Sequence, residues 1–309
     1  MPPTAPASTP RTSRLRHVAV HAAFLTLLPA LAVAVGPGST AAAAPASTAR
    51  TSAVAAAAPA AAAAAPRIRF KTASFNILGS HHTTGPGGFA DGKKRARLAV
   101  KFLKNEGTSV LGMSEAEREQ MRIVTRRGGF TSFPSWRKST DTQTAQSVVW
   151  KPQVWAKVRS GRFVIPFNYG NSREQPMVLL RHKASGKKVW VVSVHLQSGS
   201  SKAAVREREI GMQRTIRQVK RLTATGNPVL LSGDMNDRKR IFCQVRAKTA
   251  LLSASGGSWR RGSCRPPGGA RIDWIFGGKR LSFSSFRYAN SRRINAITDH
   301  TVPVATVTW

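Results

Sequence analysis

The residues best suited to chemistry in this sequence are a few acids, amides and histidines that follow short apolar segments. The clearest case is the segment 229–237, VLLSGDMND, where a buried-strand pattern stops at Gly233 and Asp234, Asn236 and Asp237 follow. Such a position places side chains at the mouth of a sheet, where α/β proteins build their sites. The chain has only 13 Asp and Glu residues against 49 Lys and Arg residues. The positions of the scarce acids are therefore the best guide to function.

Other predicted strand ends have the same design, and they supply Asn76, Glu115, His195, Asp273, Asp299 and His300. Taken singly, Asn76 could be a turn former, His195 a core histidine and Glu115 an acid at a helix N-terminus. Together with Asp234, however, the set uses four of only 13 acids and two of only seven histidines. We therefore interpret these strand ends as one site.

The side chains of this set suit one type of reaction. Carboxylate and amide oxygens are hard ligands for Mg²⁺, or for Mn²⁺ or Ca²⁺, and no Cys and His cluster points to zinc. A histidine beside a carboxylate can take a proton from water near neutral pH, and a second histidine and an asparagine can donate to phosphate oxygens. The set predicts metal-dependent hydrolysis of a phosphate ester.

The first 66 residues contain no acid and have the layout of a secretory signal peptide. Arg11, Arg14 and Arg16 precede an apolar stretch at 18–35, and small residues follow at 41–46. A membrane anchor is the alternative, but His21 and Pro29 interrupt the run, and the part at 22–35 is shorter than the roughly 20 residues needed to span a bilayer. We predict a signal peptide region at 1–46 that uses the general secretory route, because this segment has no adjacent arginine pair.

The composition then changes twice along the chain. Residues 47–66 are nearly all Ala, Pro, Ser and Thr, which predicts a disordered Ala/Pro-rich linker. Residues 67–309 have a suitable length for one large α/β domain, and we predict that this catalytic domain is secreted, monomeric and not inserted in a membrane after signal cleavage.

The domain at 67–309 is strongly basic. It holds 45 Lys and Arg residues and all 13 acids, a formal net charge of +32. Such an excess attracts polyanions and predicts salt-sensitive binding to them, with nucleic acid as the expected substrate. The alternative is that an Arg- and Ala-rich composition reflects a biased genome.

Both cysteines, Cys243 and Cys264, lie in the predicted exported domain. In an oxidising compartment an isolated pair of cysteines favours a disulfide bond over two free thiols. Closing a loop of this length would stabilise the fold by roughly 3 kcal/mol in the chain-entropy model.

The pattern of elements indicates a mixed α/β fold. Helical spacing covers 93–106 and 201–225, another helix is predicted from about Arg238, and strand patterns cover 67–78, 109–113, 145–150, 154–158, 177–181, 189–194, 229–232, 272–276, 281–288 and 303–308. Long stretches of strands without helices argue against a plain Rossmann sheet. They favour two sheets packed together and covered by helices.

Six motifs in this order resemble the endonuclease/exonuclease/phosphatase superfamily. They are Ser-Phe-Asn-Ile-Leu, the Glu after Leu-Gly-Met-Ser, Val-His-Leu, Ser-Gly-Asp-Met-Asn, Ile-Asp-Trp-Ile-Phe and Thr-Asp-His. The Gly-Asp-x-Asn and Asp-His motifs are specific, and the resemblance covers essentially all of 67–309. It implies a pancreatic-deoxyribonuclease-like fold, a four-layer α/β sandwich of two mixed β-sheets flanked by helices.

The resemblance also implies a role for each residue. Glu115 would be the main metal ligand with Asn76 beside it, and Asp299 would support the metal site. His300 would act as general base or hold the phosphate, with Asp273 fixing its tautomer. Asp234 and Asn236 would orient the attacking water and the phosphate. His195 would stabilise the transition state. Arg173 resembles a phosphate-contacting arginine, although a solvated loop arginine is the alternative.

Two positions depart from the family pattern. Ser114 stands where the family often has a glutamine before the metal-binding glutamate. Gln146 stands where nuclease members have a glutamate that pairs with the histidine of Val-His-Leu. A neutral amide would support His195 less strongly as an acid, so the resemblance implies a phosphate ligand here rather than a proton donor. His81 and His82 lie in a loop at the rim of the expected site, either solvated or facing the substrate.

These observations lead to one main hypothesis and two alternatives. The main hypothesis is a secreted Mg²⁺-dependent phosphodiesterase, a nuclease on extracellular DNA or RNA. The first alternative is a phospholipase of the sphingomyelinase type or a phosphomonoesterase of the same superfamily. The second is a basic polyanion-binding module without catalysis, which would not need Asp234, Asp273 and Asp299 together.

Overall fold

The computed structural model of this chain describes residues 67–83 and 88–309. The predicted signal peptide region and the predicted linker lie outside the described residues, so both remain predictions. Among the helices that the structure describes, none combines the length and the apolar character needed to cross a bilayer.

The described residues form six α-helices and fourteen strands, with a 3₁₀ turn at Ser80–Thr83. The helices are α1 Gly92–Asn105, α2 Arg118–Gly128, α3 Asp141–Thr144, α4 Lys202–Thr223, α5 Lys239–Lys248 and α6 Arg292–Asn295. The strands are β1 Arg69–Asn76, β2 Thr108–Ser114, β3 Thr131–Phe133, β4 Gln146–Trp150, β5 Trp155–Pro166, β6 Ser172–His182, β7 Lys188–His195, β8 Val229–Asp234, β9 Leu252–Ser253, β10 Ser258–Arg260, β11 Ser263–Arg265, β12 Asp273–Gly277, β13 Ser282–Ala289 and β14 Val302–Thr308.

Two six-stranded sheets carry the fold. The first sheet has the order β13-β14-β1-β2-β4-β3, and the second has the order β5-β6-β7-β8-β12-β9. Each sheet is mixed, because β1 and β2 are parallel in the first and β7 and β8 are parallel in the second, while the other neighbours are antiparallel. The strands β10 and β11 form a separate hairpin.

Three apolar clusters separate four layers. The outer face of the first sheet packs on α1 and α2 through residues such as Phe75, Leu103 and Met121. The outer face of the second sheet packs on α4 and α5, and the inner faces of the two sheets pack on each other. Alternating strand residues therefore face either a helix or the opposite sheet, as in other helix-covered sandwiches. The predicted four-layer α/β sandwich of two mixed sheets is confirmed.

The structure differs from the sequence-based elements most in two places, and it also has the short elements α3, α6, β3, β9, β10 and β11, which were not predicted. Helix α2 falls in a stretch for which the sequence pattern suggested no element. The strands β5 and β6 are also much longer than the predicted 154–158 and 177–181, and they form a two-stranded hairpin whose tip is at 167–171. The tip lies beside His195, because the ring of Phe167 packs edge-to-face on that imidazole.

The predicted disulfide bond is present. Cys243 of α5 and Cys264 of β11 are bonded, with their Cα atoms 5.6 Å apart, inside the usual range for a disulfide. The bond attaches the β10–β11 hairpin to the helix that directly follows the Gly-Asp-Met-Asn segment.

Candidate active site

Three neighbouring strands of the second sheet each have one terminus at the same edge of the sheet. Each terminus carries one predicted site residue. The parallel strands β7 and β8 pair His195 with Asp234, and the antiparallel strand β12 pairs Asp273 with Asp234. Gly233 permits this arrangement, because a Cβ atom there would lie 1.8 Å from the carbonyl oxygen of Val194. The three polar side chains consequently stand in a row across the sheet.

The first sheet supplies the other half of the site. Asn76 ends β1 and pairs with Ser114 at the end of the parallel strand β2, so Glu115 follows directly beside Asn76. The segment before β14 brings in His300, and Thr298 fixes this segment by donating from Oγ1 to the carbonyl oxygen of Asn76 at 2.8 Å. The motifs that contain Asn76, Glu115 and His300 are far apart in sequence but adjacent at one edge of the first sheet.

The two halves meet at the side-chain amide of Asn76. Its Nδ2 lies 2.8 Å from Glu115 Oε1, 3.1 Å from Asp234 Oδ2 and 3.3 Å from His300 Nε2. One ligand atom each from Glu115, Asp234 and His300 fall within 4.8 Å of one another, close enough to bind one metal ion together. The Oδ1 atom of Asn76 accepts from the backbone N–H of Leu78 at 3.0 Å, which fixes the orientation of the amide.

Small residues allow the two sheets to approach closely beneath this site. A Cβ atom on Gly112 of β2 would lie 2.4 Å from Ser232 Oγ and 2.9 Å from Ser193 Oγ, and both serines belong to the opposite sheet. A larger residue at position 112 would force the sheets apart at this end. The glycine in Leu-Gly-Met-Ser-Glu therefore has a structural purpose, which is to keep Glu115 close to Asp234.

Glu115 is held ionised in an unusual backbone conformation. Its φ of 57° lies in the left-handed region, which glutamate rarely adopts and which concentrates at functional sites. Burial would raise the pKa of Glu115, but the charge of His195 and the hydrogen bonds from Asn76 Nδ2 and the Gly79 N–H lower it below its ordinary value. Glu115 thus presents a carboxylate to the site.

Asp234 is a buried carboxyl group that lacks a full counter-charge. Burial raises its pKa to about 6, and the neighbouring Asp273 adds to this effect, while His195 and His300 oppose it. A divalent cation between Glu115 and Asp234 would remove the cost of burying these acids. The carboxylate oxygens of Glu115 and Asp234 fit a metal such as Mg²⁺ or Mn²⁺, while the Asn76 amide turns its Nδ2 donor toward both carboxylates and does not offer an oxygen ligand.

His300 and Asp273 form a buried pair. His300 Nδ1 lies 2.7 Å from Asp273 Oδ2, so Nδ1 carries the proton and Nε2 faces the site. Burial alone would lower the pKa of His300, but the hydrogen bond and charge of Asp273, with the charges of Asp234 and Asp299, raise it to about 10. The imidazole is oriented for interaction with an anionic group.

His195 is held by two glutamines. Gln146 Nε2 lies 3.3 Å from His195 Nδ1, which confirms that this amide is next to the histidine, and Gln175 Oε1 accepts from the His195 backbone N–H at 2.8 Å. With Nδ1 taken by the amide donor, Nε2 carries the proton and points to Asp234 Oδ2 at 3.3 Å. Burial lowers the pKa of His195, with the charges of Asp234 and Glu115 opposing, and the Nε2–H group faces the site as a donor.

The Gly-Asp-Met-Asn segment is fixed by its own hydrogen bonds. Asn236 has a left-handed φ of 46°, its N–H donates to Asp234 Oδ1 at 2.9 Å, and its Nδ2 donates to the carbonyl oxygen of Leu196 at 2.9 Å. Asp237 faces away and accepts from the Ile241 N–H at 2.9 Å in the first turn of α5. Asp237 therefore supports the first turn of α5, whose N-cap residue is Arg238, and takes no part in the site.

Two predicted residues lie at the solvent edge of the site. The side chain of Asp299 is 54 % exposed, and its Oδ1 is 3.9 Å from His300 Nε2. The Arg173 guanidinium lies 3.9 Å from the ring centre of Phe167, and burial lowers its pKa while the charge of Glu115 opposes this. Arg173 therefore faces the site and is not a freely solvated loop residue.

The loop after β1 also reaches the rim. His82 Nε2 is 3.7 Å from Glu115 Oε2, and His81 Nδ1 is 2.5 Å from Glu117 Oε1, although both rings are exposed. By contrast, Trp274 is buried in the core between β12 and α5, where its Nε1 donates to the carbonyl oxygen of Asp237.

Arg95 is a supporting residue that the motifs did not reveal. It is fully buried in α1, and its guanidinium donates to the carbonyl oxygens of residues 77, 78, 79, 90 and 297. It thereby ties the loop that follows Asn76 to the segment that precedes Asp299. The sequence signal was a basic residue on the apolar face of the helix, four positions before Ala99.

The comparisons with known proteins agree with this geometry. Residues 73–300 match the model of the Endonuclease/Exonuclease/phosphatase family. No curated protein sequence matches the chain at a significant level.

Several solved structures have the same fold. The catalytic domain of human Nocturnin with bound sulfate has a TM-score of 0.62 at 16 % identity, covering 78 % of this chain and 96 % of that one. A mannosyl-6-phosphatase from Bacteroides thetaiotaomicron has a TM-score of 0.60 at 14 % identity, covering 78 % and 100 %. D. rerio TDP2 complexed with a single-strand DNA product has a TM-score of 0.58 at 14 % identity, covering 77 % and 98 %.

Proposed function

Because the chain belongs to the Endonuclease/Exonuclease/phosphatase family, we propose that it is a secreted, divalent-metal-dependent phosphodiesterase that acts as a nuclease on extracellular DNA or RNA. Family members hydrolyse phosphoric esters and depend on divalent metals. The observation that carries the proposal is the convergence of Glu115, Asp234 and His300 within 4.8 Å of one another. These residues come from both sheets and are buried or half-buried.

The metal would be held by Glu115, with Asp234, His300 and the adjacent Asn76 and Asp299 as the surrounding polar groups. Among the described residues, this is the one group of three or more acids, cysteines and histidines close enough to hold an ion. A bound divalent cation would polarise a phosphate oxygen and stabilise the negative charge that develops during hydrolysis. The proposed ion is Mg²⁺, with Mn²⁺ or Ca²⁺ as alternatives.

The side chains around the metal would bind the phosphate and transfer protons. His300 Nε2 is the atom that would hold the attacked phosphate or accept a proton from the attacking water, because Nδ1 is committed to Asp273. With its pKa at about 10, the imidazole favours the phosphate-holding state, and neutralisation of the surrounding carboxylates would favour the proton-accepting state.

Asp234 and Asn236 would orient the water and the phosphate. Asp234 Oδ2 lies between Asn76, His195 and His300, and its position is fixed by the backbone N–H of Asn236. His195 would donate from Nε2 to a non-bridging phosphate oxygen in the transition state. Arg173 would add a positive charge on the same side.

The charge distribution supports a polymer of phosphates as the substrate. Between Asp237 and Asp273 the sequence has nine Lys and Arg residues and no acid. Both ends of this segment are attached to the site, because it begins after Asn236 and ends at Asp273. It contains α5 and the β10–β11 hairpin, and arginines 260, 261 and 265 on the hairpin are exposed. This run of positive charge, in the segment that joins two site residues, supports attraction of a nucleic acid backbone.

Secretion is supported by two observations. The N-terminal segment has the charge and hydropathy order of a signal peptide. The two cysteines form a disulfide bond, which persists in oxidising compartments and is rare in the cytosol.

The alternatives are a phosphomonoesterase, a phospholipase of the sphingomyelinase type, and a basic binding module without catalysis. The fold similarity to a mannosyl-6-phosphatase gives the phosphomonoesterase its support. The large positive charge favours a polyanion over a small or zwitterionic ester.

A substrate panel tests the proposal. The purified protein is offered plasmid DNA, RNA, sphingomyelin vesicles and p-nitrophenyl phosphate, each with Mg²⁺ and with EDTA, beside His300→Ala as the inactive control. We expect Mg²⁺-dependent cleavage of DNA or RNA that is lost in His300→Ala while DNA binding remains. Cleavage of sphingomyelin alone would reject the nuclease proposal in favour of a phospholipase, and cleavage of p-nitrophenyl phosphate alone would reject it in favour of a phosphomonoesterase. DNA binding without cleavage of any substrate would reject an enzyme.

A further inference from the structure

The tip of the β5–β6 hairpin has a backbone that needs support from outside. Its three central residues, Asn168, Tyr169 and Gly170, all have left-handed φ angles of 59°, 54° and 95°. This conformation suits Gly and is tolerated by Asn, but it is uncommon for Tyr. Residues held in such conformations cluster at ligand-binding sites, where the surrounding structure maintains them.

Residues beside the active site hold this tip in place. Gln197, two positions after His195, accepts from the Asn168 N–H through Oε1 at 2.6 Å. Glu207 of α4 accepts from the N–H groups of Tyr169 at 3.1 Å and of Gly170 at 2.5 Å. The loop conformation is therefore set by groups that are independent of the hairpin strands.

The aromatic residues of the tip have two different surroundings. Phe167 is half-buried with its ring edge-to-face on His195, at 5.2 Å between ring centres, and its face covered by Arg173. Tyr169 is 64 % exposed, which is a high value for a large aromatic side chain. Its hydroxyl is near Gly199, since a Cβ atom there would lie 3.8 Å away. The hairpin thus anchors one aromatic ring against the site and presents a second ring to solvent beside it.

We infer that Tyr169 forms a stacking subsite for a nucleobase adjacent to the phosphate bound at the active site. This inference rests on the proposed nuclease function and specifies it, because a lipid head group or a sugar phosphate has no base to stack. The ring is exposed and its backbone is fixed, and Arg173, which lies on the ring of Phe167 in the same hairpin, supplies the charge for the attached phosphate. Base stacking on an exposed aromatic ring is a general means of binding single-stranded nucleic acid without sequence preference.

The test compares two ligands that differ only in their bases. One is a 12-nucleotide oligothymidylate, and the other is a 12-residue abasic oligomer with the same phosphates. The variant Tyr169→Asn removes the ring and keeps a residue that tolerates the left-handed backbone. Tyr169→Phe keeps the ring, and Val158→Ala, in the same hairpin but away from its tip, is the control for a general effect of mutation.

We expect Tyr169→Asn to reduce the ratio of kcat/KM on the thymidylate to kcat/KM on the abasic oligomer by about 10-fold. Tyr169→Phe and Val158→Ala should retain the wild-type ratio. An equal loss on both oligomers, or no loss on either, would overturn the inference.

Binding separates this inference from the nuclease proposal. If the wild-type protein cleaves neither oligomer, the panel of plasmid DNA and RNA decides the nuclease proposal, and fluorescence anisotropy with the same two ligands still tests the subsite. A dissociation constant about 10-fold weaker for Tyr169→Asn on the thymidylate, without the same change on the abasic oligomer, would support the stacking ring. Equal affinities of wild type and variant would reject it.

Discussion

At the residue scale, the site depends on side chains that have two polar atoms, one of which already makes a hydrogen bond to a supporting group. His300 gives Nδ1 to Asp273, His195 gives Nδ1 to Gln146, and Asn76 gives Oδ1 to the Leu78 N–H. Each of these side chains consequently presents one defined atom to the centre. Such supporting hydrogen bonds are worth nearly as much as the primary contacts in metal-dependent sites.

The pair of His300 and Asp273 gives the first prediction. Asp273→Asn should lower kcat by about 100-fold or more with a small change in KM, because the amide neither fixes the Nδ1–H tautomer nor stabilises a positive imidazole. Steady-state kinetics on the preferred phosphodiester measure this effect. Asp237→Asn is the matched control, since Asp237 accepts from the Ile241 N–H and an amide oxygen can do the same. Equal losses in both variants would contradict the assignment.

The sequence identified the primary residues of the site but few of their supports. Asp234, Glu115 and His300 could be found because acids and histidines are scarce and each follows a recognisable strand. The contacts of Gln175 and Arg95 could not be predicted, even though Arg95 stands on the apolar face of its helix, because their partners are backbone atoms that only the tertiary structure brings near. Hydrogen bonds to backbone groups leave no pattern of residue types in the sequence.

At the element scale, the two sheets must converge at one end. Gly112, Ser193 and Ser232 are the small residues that permit this approach, and they lie two or three positions before Glu115, His195 and Asp234. Ser232 Oγ is buried without a hydrogen-bond partner among the described residues, so its hydroxyl contributes little to stability.

This convergence gives the second prediction. Gly112→Ala should lower the free energy of unfolding by about 1–3 kcal/mol and reduce activity, because the new methyl group would displace Glu115 from Asp234. Combining it with Ser232→Ala should recover part of both losses, since the closest atom to the new methyl group is then removed. Urea denaturation and steady-state kinetics on the single and double variants measure this. Additive losses in the double variant would show that the sheets are not in contact there.

The elements themselves were largely predictable because they carry clear periodicity. Helix α4 and strands β7 and β8 have long apolar patterns, and their boundaries agree with the sequence-based ranges to within a few residues. Helix α2 lacked this signal, because it is short and rich in charge, with only Met121, Ile123 and Val124 as large buried apolar residues. Strand β5 is an edge strand with an exposed face, so its residues do not show the continuous apolar run of a buried strand.

At the scale of the whole molecule, positive charge surrounds a site built of acids. The domain carries +32, and yet Glu115, Asp234, Asp273 and Asp299 are gathered in one place. An acidic centre would repel a phosphate, so a basic surrounding and a bound cation are the two means of attracting one.

The charge gives the third prediction. The dissociation constant for DNA should rise steeply with salt, linearly on logarithmic axes, because Lys and Arg residues displace counterions from the phosphates. Replacing Arg260 and Arg261 of the hairpin by Ser should reduce this slope by about two. Replacing Arg181 and Lys183, which are exposed at the opposite end of the second sheet, should leave the slope closer to that of the wild type. Equal slopes in both double variants would show that the hairpin has no special part in binding.

The metal dependence of phosphodiester hydrolysis tests the central claim most directly. Activity is measured against Mg²⁺ concentration for the wild-type protein and for Glu115→Gln, which keeps the shape of the side chain and removes its charge. We predict no activity in EDTA, recovery on addition of Mg²⁺, and a loss of about 100-fold or more in Glu115→Gln at saturating metal. Activity that persists in EDTA, or that is unchanged in Glu115→Gln, would contradict a metal-dependent site at these strand ends.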